Sequence, residues 1–353
     1  MRSTKSPSWI ERLLGTAPIP VAPHVFALDE RRIAYGQFVR LPVGFRFRAY
    51  RAALLPPETF HLGLLGGPLR DPRAFAERLA EFLGQVPGTV RDASLVVPES
   101  WLRVSFAEVT DLPKPAEARD EVLRWKLKRL VPFRVDELRI GALEVTPLPG
   151  QQEPRRLLLG FGIEQLLGQL EDAFAEAGIR LGQITSVSLA LIAALDDQRL
   201  AELPDLGGRR RLPPPGAALE TLGLGGERFG ALALVEEAGY TLAFVREGEP
   251  VLHRFKAVAD NLPQEAWAGL VSRDLRLTRN FLDEHFPGSS LGWVLLSAPP
   301  ELEAAWLARL ADGLGAPAQP LDGRHLPPLQ IEEAAAPWRE MAPLLGAARR
   351  EVA

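Results

Sequence analysis

Cysteine is absent from the 353 residues. Its absence excludes disulfides, thiolate metal sites and cysteine nucleophiles, and it fits a reducing compartment. Histidine is scarce. His24, His61, His253, His285 and His325 are scattered without the spacing of a metal site or a catalytic base. No apolar run approaches the ~18–20 residues that span a bilayer, and the longest, Val187 to Leu195, is about half that length. The N-terminal stretch MRSTKSPSWIERLL is basic but lacks the apolar region of a secretory signal, so the sequence reads as cytoplasmic. A net charge of −4 supplies no global field to attract nucleic acid.

The familiar catalytic signatures are missing too. No Gly-x-Ser-x-Gly, Walker-type or Rossmann glycine pattern follows a predicted strand. The stretch LGLGGERFG lacks the lysine and the Ser/Thr of a phosphate loop and reads as a flexible lead-in. Acidic pairs such as Asp196-Asp197 and Glu236-Glu237 are ordinary surface features, which leaves glycosidase-type chemistry without support.

What is present is globular: 46% of the residues are apolar and 24% charged, in a chain long enough for two or more domains. Residues 1–23 predict a short helix with a capping box at Ser8–Glu11 and Trp9, Ile10, Leu13 and Leu14 on one face, stopped by the prolines of 17–23. Alternation from His24 predicts two strands around the tight turn Asp29-Glu30-Arg31-Arg32, then a third, FRFRAYRAAL. Asp71-Pro72 is an N-cap and first-turn pair for a helix through Leu83, with Phe75, Leu79, Phe82 and Leu83 inward. ASLVVP and WLRVSFAEV follow as strands. The Pro- and Gly-rich segment Leu203 to Gly216 is a loop, after which the sequence predicts three antiparallel strands, a long helix from Gln264, a strand, and two closing helices, the last from Ile331. The second half thus repeats the plan of the first.

The stretch EVLRWKLKRLVPFRVDELRI, Glu121 to Ile140, gathers Trp125 and six Lys/Arg residues around Pro132. A helix with Trp125 among its apolar residues and the basic residues opposite, stopped by Pro132, predicts a subdomain whose core holds Trp125 and Phe133. Interleaved acids, among them Asp120, Glu121, Asp136 and Glu137, speak against a nucleic-acid surface. The charged face is left for a partner or an anionic lipid surface.

The order of these elements resembles the PilM family, actin-like proteins of type IV pilus assembly related more distantly to FtsA. Family members carry a Leu-Pro … Glu-Ala … Tyr-Ile-Pro-Phe … Glu-Glu passage in an inserted subdomain. Leu112-Pro113, Val131-Pro132-Phe133 and Asp136-Glu137 stand in that order here. LVVPESWLRVSF precedes the passage, LEDAFAEAGIRLGQITSVSLAL follows it, and MAPLLGAARRE closes the chain; the similarity runs from about His24. The resemblance implies a two-lobed actin-like α/β fold, a duplicated ribonuclease H-like core with an inserted α/β subdomain. Its expected parts are residues 24–112 (first half-core), 113–184 (inserted helix–strand–strand–helix unit) and 185–353 (second half-core, with a helical insertion around 262–287).

It also implies three nucleotide loops, and none matches. Ala27 stands for the expected aspartate of the first and Asp29-Glu30 for its Gly-Ser, and no lysine follows. Only Glu236 and Gly239 remain of the second, and Ser297-Ala298-Pro299-Pro300 replaces the Gly-Gly of the third. The expectation is a pseudo-ATPase scaffold with no catalytic residue, no metal and no cofactor. Its partner would be the N-terminal cytoplasmic tail of a PilN-like single-pass protein. The chain would sit peripherally on the cytoplasmic face of the inner membrane, attached only through partners such as other pilus or motor proteins, with self-association left open. Two alternatives stay open: an active actin-like ATPase that binds ATP and Mg²⁺ through divergent loops, and a GspL-like secretion-assembly lobe, though that protein has a transmembrane helix.

Overall fold

A computed structural model describes residues 23–61, 66–131, 134–147, 154–202, 228–258, 264–286, 290–332 and 336–349. The expected N-terminal helix, the Leu203–Gly216 loop, Pro132 and Phe133 lie outside the described residues. In chain order the first elements are β1 (His24–Leu28), β2 (Arg32–Arg40), β3 (Phe45–Leu54), α1 (Pro72–Leu83), β4 (Asp92–Val97) and β5 (Arg103–Val109). Next come α2 (Ala116–Lys128), β6 (Leu138–Val145), β7 (Arg155–Ile163), α3 (Glu164–Glu176), β8 (Arg180–Ser186), α4 (Val187–Ala194) and α5 (Asp197–Glu202). Then follow β9 (Arg228–Glu236), β10 (Gly239–Arg246), β11 (Glu249–Ala257), α6 (Gln264–His285), β12 (Ser290–Ser297) and α7 (Pro300–Leu314). The chain ends with β13 (Gln319–Pro320), β14 (Leu329–Ile331) and α8 (Trp338–Arg349).

The chain forms two compact units, one spanning residues up to 147, 151–195 and 326 onward, the other 196–325. The first is built on a six-stranded sheet in the order β14-β3-β2-β1-β4-β8, the second on a five-stranded sheet in the order β11-β10-β9-β12-β13. Strands β3-β2-β1 and β11-β10-β9 are antiparallel meanders, each followed by two parallel strands. The two sheets therefore share one plan, as the sequence halves suggest.

Local chemistry sets the elements. Asp71 accepts a hydrogen bond from the Ala74 amide at 3.0 Å and Pro72 opens α1, so the expected cap is in place. Phe75, Leu79 and Phe82 of α1 and Leu166, Leu170 and Phe174 of α3 then cover one face of the first sheet, around Phe26, Tyr35 and Leu95. Helices α4 and α8 pack together over β4 and its neighbours. They approach closely at Gly346, where a Cβ would stand 1.7 Å from the Ala190 carbonyl oxygen. Gly346→Ala should therefore cost about 1–3 kcal/mol or more by overpacking, read as a lowered midpoint in denaturant unfolding. An unchanged midpoint would show that the helices separate freely.

The inserted subdomain is an antiparallel sheet in the order β5-β7-β6 with α2 on one face. Leu123 and Leu127 of α2 meet Leu138, Leu157, Leu159 and Phe161 there. On the other face, Val104, Leu143, Val145 and Leu158 rest against Leu189 of α4.

Four expectations change. The subdomain runs from Arg103 to Ile163: β5 joins it, whereas α3 covers the main sheet and β8 pairs with β4. The second unit ends at His325. Leu329–Ile331 pairs in parallel with Phe45–Phe47 of the first sheet, and the last helix begins at Trp338, seven residues after the expected Ile331. Helix α6 packs on the second unit, with Val271, Leu275 and Leu282 in its core. Finally, Trp125 is not a core residue: it is 55% exposed. The buried stripe of α2 is Leu123 and Leu127, and Trp125, two residues on at about 100° each, points to the opposite side.

Candidate functional site

In the first unit the parallel strands β1, β4 and β8 end on the same side, which brings Asp29-Glu30, Glu99-Trp101 and Ser186-Ser188 to one sheet end. Ligands of open α/β sheets bind at such carboxyl ends. Here the groups are turned onto one another. Ala27 lies inside β1, paired with Ala34 and Val96. Asp29 accepts from the Arg31 amide at 2.8 Å, closing its own turn. Glu30 accepts the indole N–H of Trp101 at 2.7 Å. Glu99, fully buried, accepts from the Ser188 amide at 3.3 Å and so occupies the amino end of α4, where an anion would otherwise bind. Burial lowers the pKa of Arg103, an effect opposed by the nearby Glu99 carboxylate. A phosphate brought here would meet carboxylates at about 1 kcal/mol per pair in water, and more when desolvated.

In the second unit Ser297 pairs with Leu234, so the two expected loops of that half, 236–239 and 297–300, sit side by side at its sheet end. Gly239 has a packing role: a Cβ there would stand 2.0 Å from the Lys256 carbonyl oxygen. Ser297 and Ala298 are buried, Pro299 is the N-cap of α7 and Pro300 its first residue. Two successive prolines remove two backbone N–H donors from the loop that would receive a nucleoside. Among the described residues no cluster of His, Asp and Glu could hold a metal ion.

A second feature lies where the subdomain joins the first sheet. Arg139 of β6 reaches α3 with both arms of its guanidinium, donating to Glu164 at 2.5 and 2.8 Å and to Glu171 at 2.6 and 2.9 Å. The hydrogen bonds from Arg139 hold the Glu164 carboxyl below its ordinary range. Beside this joint, β8 forms one edge of the sheet, with Leu181, Gly182 and Ile184 half-buried. Gln183 of the same strand is buried, and its Nε2 has no hydrogen-bond partner among the described residues. At the foot of β8 an open cavity of ≈ 430 Å³ is lined by Ala175, Ile179 and Leu181 together with the charged Arg91, Glu171 and Arg180.

The sequence named the degenerate loops but not Glu99, Trp101, Arg139 or the β8 edge. The acid and tryptophan in PES-Trp, directly after a buried strand, were the local signal for the first two. Arg139 and β8 depend on long-range pairing that no local pattern carries.

No family model and no curated protein matches the sequence. Among solved structures, a chain of the PilM-PilN type IV pilus biogenesis complex superposes with a TM-score of 0.67 at 16% identity, over 96% of this chain and 100% of that one. A Bacteroides thetaiotaomicron protein with an actin-like ATPase fold scores 0.46 at 9% identity, over 96% and 99% of the two chains. The cytoplasmic domain of EpsL, an inner membrane component of the type II secretion system of Vibrio cholerae, scores 0.43 at 11% identity, over 92% and 93%. The fold of this chain is actin-like, with an inserted α/β subdomain.

Proposed function

We propose that this protein is a non-catalytic actin-like scaffold of a type IV pilus assembly complex, and that it receives the cytoplasmic tail of a PilN-like single-pass membrane protein. The observation that carries the reading is the edge of β8, which pairs with no further strand among the described residues, beside the ≈ 430 Å³ cavity and the subdomain joint made by Arg139. An extended tail adds to such an edge through backbone hydrogen bonds, and an apolar side chain placed in the cavity sets its register. The likeness to a chain of the PilM-PilN complex over nearly all of both chains supports the same partner class. Among the described residues no helix is long and apolar enough to cross a membrane, so attachment through a partner is consistent with the chain's own elements.

The sheet ends support the pseudo-ATPase half of the reading. Carboxylates stand at the first loop, prolines fill the third, and the glycine of the second serves strand packing. The protein acts without cofactor or metal in this account, and its place is the cytoplasmic face of the inner membrane.

Calorimetric titration tests both halves. A synthetic N-terminal tail of a PilN-like single-pass protein from the same genome should bind in the micromolar range, about −8 kcal/mol. Ala175→Trp, which fills the cavity from an exposed helix position, should abolish binding without unfolding the chain. ATP with Mg²⁺ should give no binding heat. Tight nucleotide binding with turnover would favour the active ATPase, and an unaffected Ala175→Trp would remove the cavity from the account.

A further inference from the structure

The basic passage that ends α2 is used neither by the scaffold's core nor by the β8 edge. From Val122 to Val135 the chain carries five cations and no acid. Two of the five are taken up internally. Arg124 donates to Asp120 at 2.6 Å and to the Val135 carbonyl, and Arg134 pairs with Glu137 at 2.9 Å. Lys126, Lys128 and Arg129 form no ion pair among the described residues. Two of them flank Trp125: the Lys126 ammonium lies 5.2 Å and the Arg129 guanidinium 5.6 Å from the ring centroid. Trp125 is 55% exposed and Leu130, just past the helix end, 50%.

Cations in a last helical turn complement the helix dipole, which accounts for their charge but not for the aromatic between them. A single exposed leucine is ordinary. A tryptophan and a leucine exposed together on one helix end, with three cations that form no ion pair among the described residues and one acid, Glu121, a turn before, make the composition of a membrane–water interface, where indole sits at headgroup level and Lys/Arg meet anionic lipid. The opposite stripe of α2 is buried against the subdomain sheet, so the helix cannot lie flat in a bilayer. Contact is limited to its tip.

We propose that this tip is a second, weak membrane contact, in which Trp125 and Leu130 enter the headgroup layer of an anionic bilayer and Lys126, Lys128 and Arg129 bind its phosphates. The commitment to lipid rests on charge complementarity and on the exposed indole. Three cations and two apolar side chains give marginal binding alone, so the contact serves to orient a protein already held at the membrane. It stands independently of tail binding, because vesicles contain no protein partner.

The test is flotation of the full chain with vesicles of phosphatidylcholine mixed equally with phosphatidylglycerol, beside vesicles of phosphatidylcholine alone. Binding is expected only to the mixed vesicles and should weaken as salt rises from ~0.05 to ~0.3 M. Lys128→Gln and Arg129→Gln should each lower the partition coefficient about fivefold. Trp125→Ala should lower it at least as much, whereas Leu54→Ala, an 83% exposed apolar residue elsewhere on the same unit, should not. Brominated lipid should quench the fluorescence of the wild type more than that of Trp125→Phe. Equal binding by Trp125→Ala, no preference for the anionic vesicles, or binding of RNA or an acidic peptide in their place would overturn the proposal.

Discussion

Replacing Trp101 by alanine should destabilise the first unit by about 3–5 kcal/mol, the cost of emptying a large aromatic site. Trp101 is fully buried between β4 and β5, with its ring 4.7 Å from that of Phe60. Gly66, at φ +73°, lies against the indole so closely that a Cβ would stand 2.4 Å from its Cδ1. The site is thus shaped around this side chain and cannot collapse cheaply. The indole N–H also carries the Glu30 carboxylate at 2.7 Å, and alanine would leave that half-buried charge without this donor. Trp101→Phe separates the two effects: it keeps much of the ring but removes the N–H, and should cost about 1–3 kcal/mol. Denaturant unfolding of the three proteins checks the series. If Trp101→Ala melted like the wild type, the first loop would not be held by the core, and the account of Glu30 as a packing residue would fail.

That hydrogen bond shows why the degenerate loop was readable as a negative but not as a structure. Asp29-Glu30 in place of Gly-Ser reveals from sequence alone that two carboxylates stand where a phosphate would go. What Glu30 does instead depends on a residue 71 positions away. The meanders, the Asp71-Pro72 cap and the stripe of α1 were legible because periodicity and capping are local. The subdomain limits were not. Helix α3 reads equally well as part of either layer until Phe174 is seen 5.1 Å from Phe26. Strand β14, only three residues long, has too little pattern to announce its pairing with β3. Trp125 differs for another reason: its apolar character suggests burial, while its phase relative to Leu123 and Leu127 places it outside.

The return of the chain end to the first unit leads to the other large effect, at Arg32. Glu340 in the first turn of α8 receives the Arg32 guanidinium at 2.7 Å and the Tyr50 hydroxyl, which ties the helix to β2 and β3. Burial alone would raise the Glu340 carboxyl, but the hydrogen bonds from Tyr50 and Arg32 outweigh it and hold the carboxyl below its usual range. The Glu340 side chain is 11% exposed and that of Arg32 33%, so solvent screens the pair only in part. Arg32→Ala leaves a nearly buried carboxylate with the Tyr50 hydroxyl and the more distant Arg339 guanidinium at 3.8 Å but without its hydrogen-bonded cation, and should cost about 1–3 kcal/mol at neutral pH. The pH dependence follows from the direction of the shift. A carboxyl with a depressed folded pKa adds stability above its unfolded pKa and loses it as pH falls through the folded value. Without Arg32 the burial effect is less opposed, the carboxyl rises, and protonation relieves the buried charge. The deficit of Arg32→Ala should therefore be largest near pH 7 and shrink as pH drops below the ordinary carboxylate range, with midpoints measured in parallel for both proteins. A deficit that stayed constant or grew on acidification would mean that Arg32 supports α8 through packing of its stem and not through the charge on Glu340.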